Sequence, residues 1–374
     1  MRILVWHWGR HGAGPRFAAD LAAGLGRLPG IETVLSLSAQ AELLRGPLPP
    51  DCALPFPTYD NLVGLLGRLT AAPWLIDKLA RRIGPLDPAA AICAMPAPLD
   101  LLMACVLQRL RVPFAVIIHD AETHPGDGLP LQMHMQRRLA RRAAMLAALS
   151  PHVAARLRSQ GLCPGQKLLL ASHPPFDFGT VPARRAHDGP LHLLFFGRLL
   201  HYKGLDLLAA ALRRLPAGLF TVRVVGRGPA SPVLEALAAL DFVTVENRWV
   251  PEGEIAALLG WADAVVLPYR EASQSGVAAG ALAAGRWVVA TRVGGLETQL
   301  EAESLARLAE PDPASLADCL LGVAREPMPP PRLAASPKAA WSAFGARLLA
   351  ELVPGCAPSL ASVDPARHDE VSPV

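Results

Sequence analysis

Six cysteines in 374 residues stand at positions 52, 93, 105, 163, 319 and 356, with no close pair and no metal-knuckle spacing. That scatter argues against a disulfide framework or a structural zinc site and fits reduced thiols. No apolar run approaches the roughly 20 residues that cross a bilayer. The opening Met1-Arg2-Ile3-Leu4-Val5-Trp6 is interrupted by His7 and Arg10 too soon for a secretory leader, so a cytoplasmic protein is expected. Aromatic residues are scarce at 5% and the net charge is only +4, which leaves neither stacking platforms nor the basic excess of a nucleic-acid binder. No carboxylate pair is spaced to seat Mg²⁺. The glycines at 12 and 14 do not complete a dinucleotide fingerprint, because Phe17 stands where the third glycine would.

What is present is ample apolar material, 52% of residues, in a chain long enough for two domains. Charge is uneven: residues 1–183 hold 18 basic and 12 acidic side chains, and the rest hold 18 and 20. A basic first half suits an anionic partner such as a phospholipid surface. The basic runs Lys78–Arg82 and Arg137–Arg142 sit on helical patterns, and each reads either as a membrane contact or as a solvated helix face.

Short apolar runs alternate with helical periods, which predicts α/β domains of the doubly wound kind. Strands are expected at 3–6, 112–118, 146–149 and 167–171, with a helix over 16–28. Residues 172–190 are rich in proline, glycine and charge and hold the linker, placed at 179–190. A second series follows, with strands at 191–196, 220–225, 243–245, 264–267 and 287–290. Its helices are expected at 204–215, 231–239, 252–260 and 276–284. Prolines at 327 and 329–331 break the chain before a last helix over 337–352, and a tail without order is expected over 354–374.

The polar groups with chemical promise fall after strands, where open parallel sheets bind ligands. Gly197, Arg198 and Lys203 follow the 191–196 strand and precede a helix. Two cations beside a helix N-terminus suit phosphate, although the same residues also fit a solvated loop. Gly226 and Arg227 close the next strand. Ser275, Gly276 and Val277 open a helix whose N–H groups could face a phosphate; a plain Ser275 cap explains that residue alone. His119 and Asp120 end a buried strand with His124 just beyond, marking a cleft, or else a satisfied core histidine beside a capping aspartate.

Taken in order, several segments resemble the retaining GT-B glycosyltransferases of family four. These are Phe-Gly-Arg-x4-Lys-Gly at 196–204, Val-Gly-Arg-Gly-Pro at 225–229 and Ala-Asp-Ala-Val-Val-Leu-Pro-Tyr at 262–269. Gln-Ser-Gly-Val at 274–277, Ala-Leu-Ala-Ala-Gly at 281–285 and Val-Val-Ala-Thr-Arg-Val-Gly-Gly at 288–295 complete the set. The resemblance implies two Rossmann-like domains facing a cleft, an acceptor-side domain over 1–178 and a nucleotide-sugar domain over 191–335. It also implies a helix over 336–353 crossing back to the first domain. It places Arg198 and Lys203 on the diphosphate of a nucleotide-sugar, with Gly12 and Gly14 opposite. Gly197, Gly226, Arg227, Glu271, Gln274, Ser275, Gly276 and Val277 would line the donor, Val250 or its neighbours in Arg248-Trp249-Val250 its base, and His119 its sugar. Asp120 and His124 would lie on the acceptor side, the acceptor being a glycan or lipid-linked. Neither a metal nor a separate cofactor is implied.

One departure matters. The family carries two glutamates eight apart before the Ala-Leu-Ala-Ala-Gly segment, and the matching positions here are Ala272 and Gly280, with Glu271 one place off. The second glutamate holds ribose hydroxyls, so its absence predicts weak donor binding. The alternative expectation is a non-catalytic nucleotide-sugar-binding protein or partner subunit.

Overall fold

The computed structural model describes residues 1–46, 48–122, 130–163, 165–176, 178, 181–182, 189–326 and 336–356. The first half runs β1 (Arg2–His7), α1 (Ala13–Gly26), β2 (Glu32–Leu37), α2 (Leu62–Thr70), α3 (Ala72–Ile83), β3 (Ala90–Cys93) and α4 (Asp100–Arg109). It continues with β4 (Phe114–Ile118), α5 (Pro130–Arg142), β5 (Met145–Ala148), α6 (Pro151–Ser159) and β6 (Lys167–Leu170). The strands form one parallel sheet in the order β2-β1-β3-β4-β5-β6.

The second half runs β7 (Leu191–Phe196), α7 (Leu205–Leu212), β8 (Phe220–Gly226), α8 (Pro232–Ala238), β9 (Val243–Asn247), α9 (Glu252–Trp261) and β10 (Ala264–Leu267). Then come α10 (Gly276–Ala283), β11 (Trp287–Thr291), α11 (Gly295–Leu300), β12 (Ala306–Ala309), α12 (Pro313–Arg325) and α13 (Pro337–Leu352). Its parallel sheet is ordered β12-β11-β10-β7-β8-β9. The strand order reverses around β1 in the first sheet and between β7 and β10 in the second, and ligand crevices open at such switch points.

Both sheets are covered on two faces, so their strands read as continuous apolar runs rather than alternations. In β1, Leu4 and Trp6 enter one core and Ile3 and Val5 the other. The second core joins α13 to the first sheet: Trp341, Phe344 and Leu348 of that last helix pack with Phe17 and Leu21 of α1. A Cβ at Gly24 would collide with the backbone of Trp341, and the Ser342 hydroxyl donates to the Gly24 carbonyl at 2.9 Å. Small residues therefore bring these two helices into close contact, and the chain crosses back onto its first half. Among the described residues no helix is long and apolar enough to cross a membrane.

Several elements start or stop away from the expected positions, for local reasons. β4 begins at Phe114 rather than 112, after Pro113, which has no N–H for a ladder. α1 starts at Ala13, three residues early, because Gly12 supplies its cap in an unusual backbone conformation. Strands β2, β3 and β12 carried no expectation; β3 is Ala-Ala-Ile-Cys and β12 Ala-Arg-Leu-Ala, short and poor in β-branched residues. The 179–190 segment and the tail beyond 356 lie largely outside the described residues.

Candidate functional site

At the switch point of the second sheet, two close approaches hold the strand ends together. A Cβ at Gly226 (φ 157°) would overlap the Gly197 carbonyl, and one at Gly204 (φ 66°) would overlap the Pro268 carbonyl. Gly197 itself has φ 138° and, among the described residues, nothing within 4 Å of where its side chain would stand, so the turn is open there. Arg198 is exposed on this rim and donates to the Tyr202 hydroxyl at 2.8 Å. The Lys203 ammonium sits 3.6 Å from the ring centre of buried Tyr269 and 4.8 Å from that of Tyr202. Quadrupole attraction from two rings fixes the lysine while its charge remains. Arg227 is exposed at the end of β8.

The start of α10 lies alongside. The Tyr269 hydroxyl bonds Ser275, and burial pushes its pKa above the ordinary phenol value. Ser275 caps the helix, its hydroxyl accepting from Ala278 N–H at 3.2 Å. Its own N–H does not face an anion, contrary to expectation: it donates to the Gln299 side chain at 2.8 Å, and Gln299 returns a bond to the Ser275 carbonyl at 2.9 Å. Gly276 and Val277 are the first two residues of the helix proper, and a Cβ at Gly276 would press on Phe176 and His173 of the first half. Among the described residues the Gln274 side-chain oxygen is buried without a hydrogen-bond partner, and Glu271 is exposed. Ala272 is buried. Gly280 is buried as well, and a Cβ there would stand 3.2 Å from the Phe178 ring. The position that the resemblance gives to a glutamate is thus covered by an aromatic ring.

At the first sheet's switch point three histidines gather, of which the sequence reading singled out one. The His7 ring N–H donates to the Met95 carbonyl at 2.7 Å, that of His119 to Ala94 at 2.9 Å, and that of His173 to Pro174 at 2.6 Å. Each spends its proton on backbone and keeps the other nitrogen as a lone pair. Burial lowers all three pKa values, to about 4 for His7, about 3 for His119 and about 4 for His173. The His119 and His173 rings lie 6.0 Å apart, both edge-on to Phe17. His7 lies against Gly14, where a Cβ would overlap its ring, while Gly12 (φ 80°) has, among the described residues, open space where a side chain would be. Asp120 follows His119, its carbonyl accepting from Gln136 at 2.7 Å. His124 lies outside the described residues.

The halves also meet at the mouth. Arg16 of α1 pairs with Asp20 at 2.8 Å and, across the gap, with Glu252 of α9. The Trp249 indole N–H donates to the Glu42 carboxylate, and His11 lies edge-on to Trp249 at 6.2 Å. Val250, expected at the base, is buried in the core around the second sheet, and its neighbour Trp249 is the exposed side chain. The structure therefore groups Gly197, Arg198 and Lys203 with Ser275, and brings His173 against Gly276. Tyr269, His7, His173 and Gln299 went unseen in the sequence, whereas Trp249 lies in the Arg248-Trp249-Val250 segment expected at the base. Of the unseen residues, Tyr269 alone had a nearby signal, as the last residue of the 262–269 segment.

Two family profiles match. The one described as "Glycosyl transferases group 1" covers residues 190–326, and the "Glycosyl transferase 4-like domain" covers residues 12–172. The chain is 39% identical to a D-inositol 3-phosphate glycosyltransferase from Frankia alni over 42% of this chain and 42% of that protein. It is 36% identical to a glycogen synthase from Mycobacterium tuberculosis over 39% of this chain and 36% of that one. These curated relatives are therefore matched over less than half their length. Among solved structures, HepE from Anabaena in complex with UDP and glucose is similar with a TM-score of 0.66 at 17% identity, covering 97% of each chain. Sucrose-phosphate synthase from Thermosynechococcus elongatus gives 0.62 at 16% identity, covering 94% of this chain and 95% of that one. At such identities the likeness shows the fold.

Proposed function

Because this chain belongs to the glycosyl transferases group 1 family, we propose that it moves a sugar from a nucleoside-diphosphate sugar to a polysaccharide or lipid-linked acceptor with retention of configuration. The observation that carries the reading is the open glycine turn at each switch point, Gly12 and Gly197, with Arg198 and Lys203 on the rim of the second. Diphosphate fits where backbone leaves room and cations are already held in place. Charge that develops on the departing diphosphate then meets groups needing no reorganisation.

His119 would stand beside the donor sugar and Asp120 beside the acceptor, whose hydroxyl loses its proton to the departing phosphate on the same face. Gln274, with its orphaned oxygen, is the acceptor for a donor hydroxyl in place of the glutamate missing at 280. UDP is preferred to GDP in this reading, supported by the neighbouring HepE complex with UDP-glucose. Fixed cations neutralise the leaving group, so turnover should survive EDTA. Mass spectrometry with a panel of UDP- and GDP-sugars and glycan or lipid-linked acceptors tests it; no turnover with any donor removes the catalytic claim.

A second reading, a nucleotide-sugar-binding protein without turnover, is favoured by the Phe178 ring over Gly280. A shift in melting temperature with UDP but no transfer would establish it. Gly280→Glu combined with Phe178→Ala, which makes room for the carboxylate, should then tighten donor binding.

A further inference from the structure

We propose that α2 and the adjoining face of α3 form a docking surface for an anionic lipid bilayer. α2 points Leu65 into the core and turns Leu62, Val63 and Leu66 outward at 63%, 78% and 56% exposure, and Trp74 at the start of α3 is 56% exposed. A single exposed leucine is ordinary; a ridge of four large apolar side chains on neighbouring turns marks an interaction surface.

Charge identifies the occupant. A crevice between the two helices is lined by Arg68, Lys78 and Arg82 over Leu75 and Leu79. Among the described residues none of these cations, nor Arg81, pairs with a carboxylate. Asp77, the acid of this stretch, pairs with Arg109. The Lys78 ammonium lies 5.0 Å over the Trp74 ring, so a cation and an amphipathic indole share one edge of the ridge. Apolar side chains collared by cations match a layer of negative headgroups with hydrocarbon beneath. A symmetric second copy would bring the same cations together and be repelled. The other basic run, on α5, exposes Arg137, Arg138, Arg141 and Arg142 but buries Leu139 and Ala140, so it offers charge without anything to insert. The surface stands independently of the glycosyl-transfer reading, and its test needs no turnover.

Sedimentation of the full chain with vesicles of phosphatidylglycerol and phosphatidylcholine in equal parts, against phosphatidylcholine alone, is the experiment. Binding to the anionic vesicles is expected. Lys78→Ala with Arg82→Ala should weaken it about thirtyfold, from ~1 kcal/mol per basic residue. Val63→Glu with Leu66→Glu should abolish it, and Arg137→Ala with Arg141→Ala should leave it unchanged. All these side chains are exposed or half-buried, and unchanged melting temperatures would confirm folding. The tryptophan blue shift on adding vesicles should disappear in Trp74→Phe. The proposal is overturned by absence of binding to anionic vesicles, or by binding that survives both α2/α3 variants. It is also overturned by an oligomer that Leu66→Glu disperses while vesicles are ignored.

Discussion

A lysine ammonium resting on a tyrosine ring is held in place while it keeps its charge, and this is how the rings of Tyr269 and Tyr202 hold Lys203 at the rim of β7. If that charge meets a leaving diphosphate, Lys203→Ala should lower kcat by about 10²–10³-fold, the usual cost of one preorganised transition-state contact. Tyr269 separates support from chemistry. Tyr269→Phe keeps the ring under the ammonium and loses only the bond to Ser275, whereas Tyr269→Leu loses the ring. Steady-state kinetics should therefore show Tyr269→Phe near wild type and Tyr269→Leu reduced by about three- to thirtyfold, the worth of a partly desolvated cation–π contact. Equal losses in both variants would mean that the hydroxyl, not the ring, positions the site.

Elements set the distances between such residues, and the Gly204 turn between β7 and α7 shows how. Its φ of 66° and its contact with the Pro268 carbonyl bind the β7 loop to the end of β10. Gly204→Ala meets both a left-handed backbone and an overlap, so a loss of about 2–4 kcal/mol is expected in urea unfolding, together with weakened nucleotide binding. Melting within a degree of wild type would show that the loop can give way. This turn was legible beforehand, because a buried apolar run, a glycine and two cations lie within twelve residues of sequence. The alternation of runs likewise gave both sheets their class, and the last helix its bounds over 337–352. The histidine cluster was not legible: His7, His119 and His173 end β1, follow β4 and lie beyond β6, and only the sheet order makes them neighbours. Nor was the fate of the Ser275 N–H, since its partner Gln299 stands 24 residues away on another helix.

At the scale of the whole molecule, buried titratable groups should make stability respond to pH in two opposed ways. The three histidines have folded pKa values below the ordinary 6.5, at about 4 for His7 and His173 and about 3 for His119. The unfolded chain takes up their protons first, so their contribution is complete above pH 6.5 and is lost as pH falls toward 4. Asp100 acts in the opposite sense. It is fully buried at the start of α4, accepts from the Ala97 N–H at 2.7 Å and from the Cys93 thiol at 3.4 Å, and burial raises its pKa from 3.8 to about 7. The folded state holds the proton that the unfolded state releases, so this group costs nothing below pH 3.8 and costs most above 7. The penalty is on the order of 4 kcal/mol at ~1.4 kcal/mol per unit. Asn at this position can keep the bond from Ala97 and cannot ionise. Asp100→Asn should therefore gain stability relative to wild type as pH rises from 4 to 7, with a constant difference beyond. His173→Gln should flatten the acid limb instead, gaining relative to wild type as pH falls from 6.5 to 4. Urea unfolding of the three proteins across this range reads both effects. Curves for Asp100→Asn that run parallel to wild type would mean that the buried carboxylate ionises in the folded protein at its ordinary pKa.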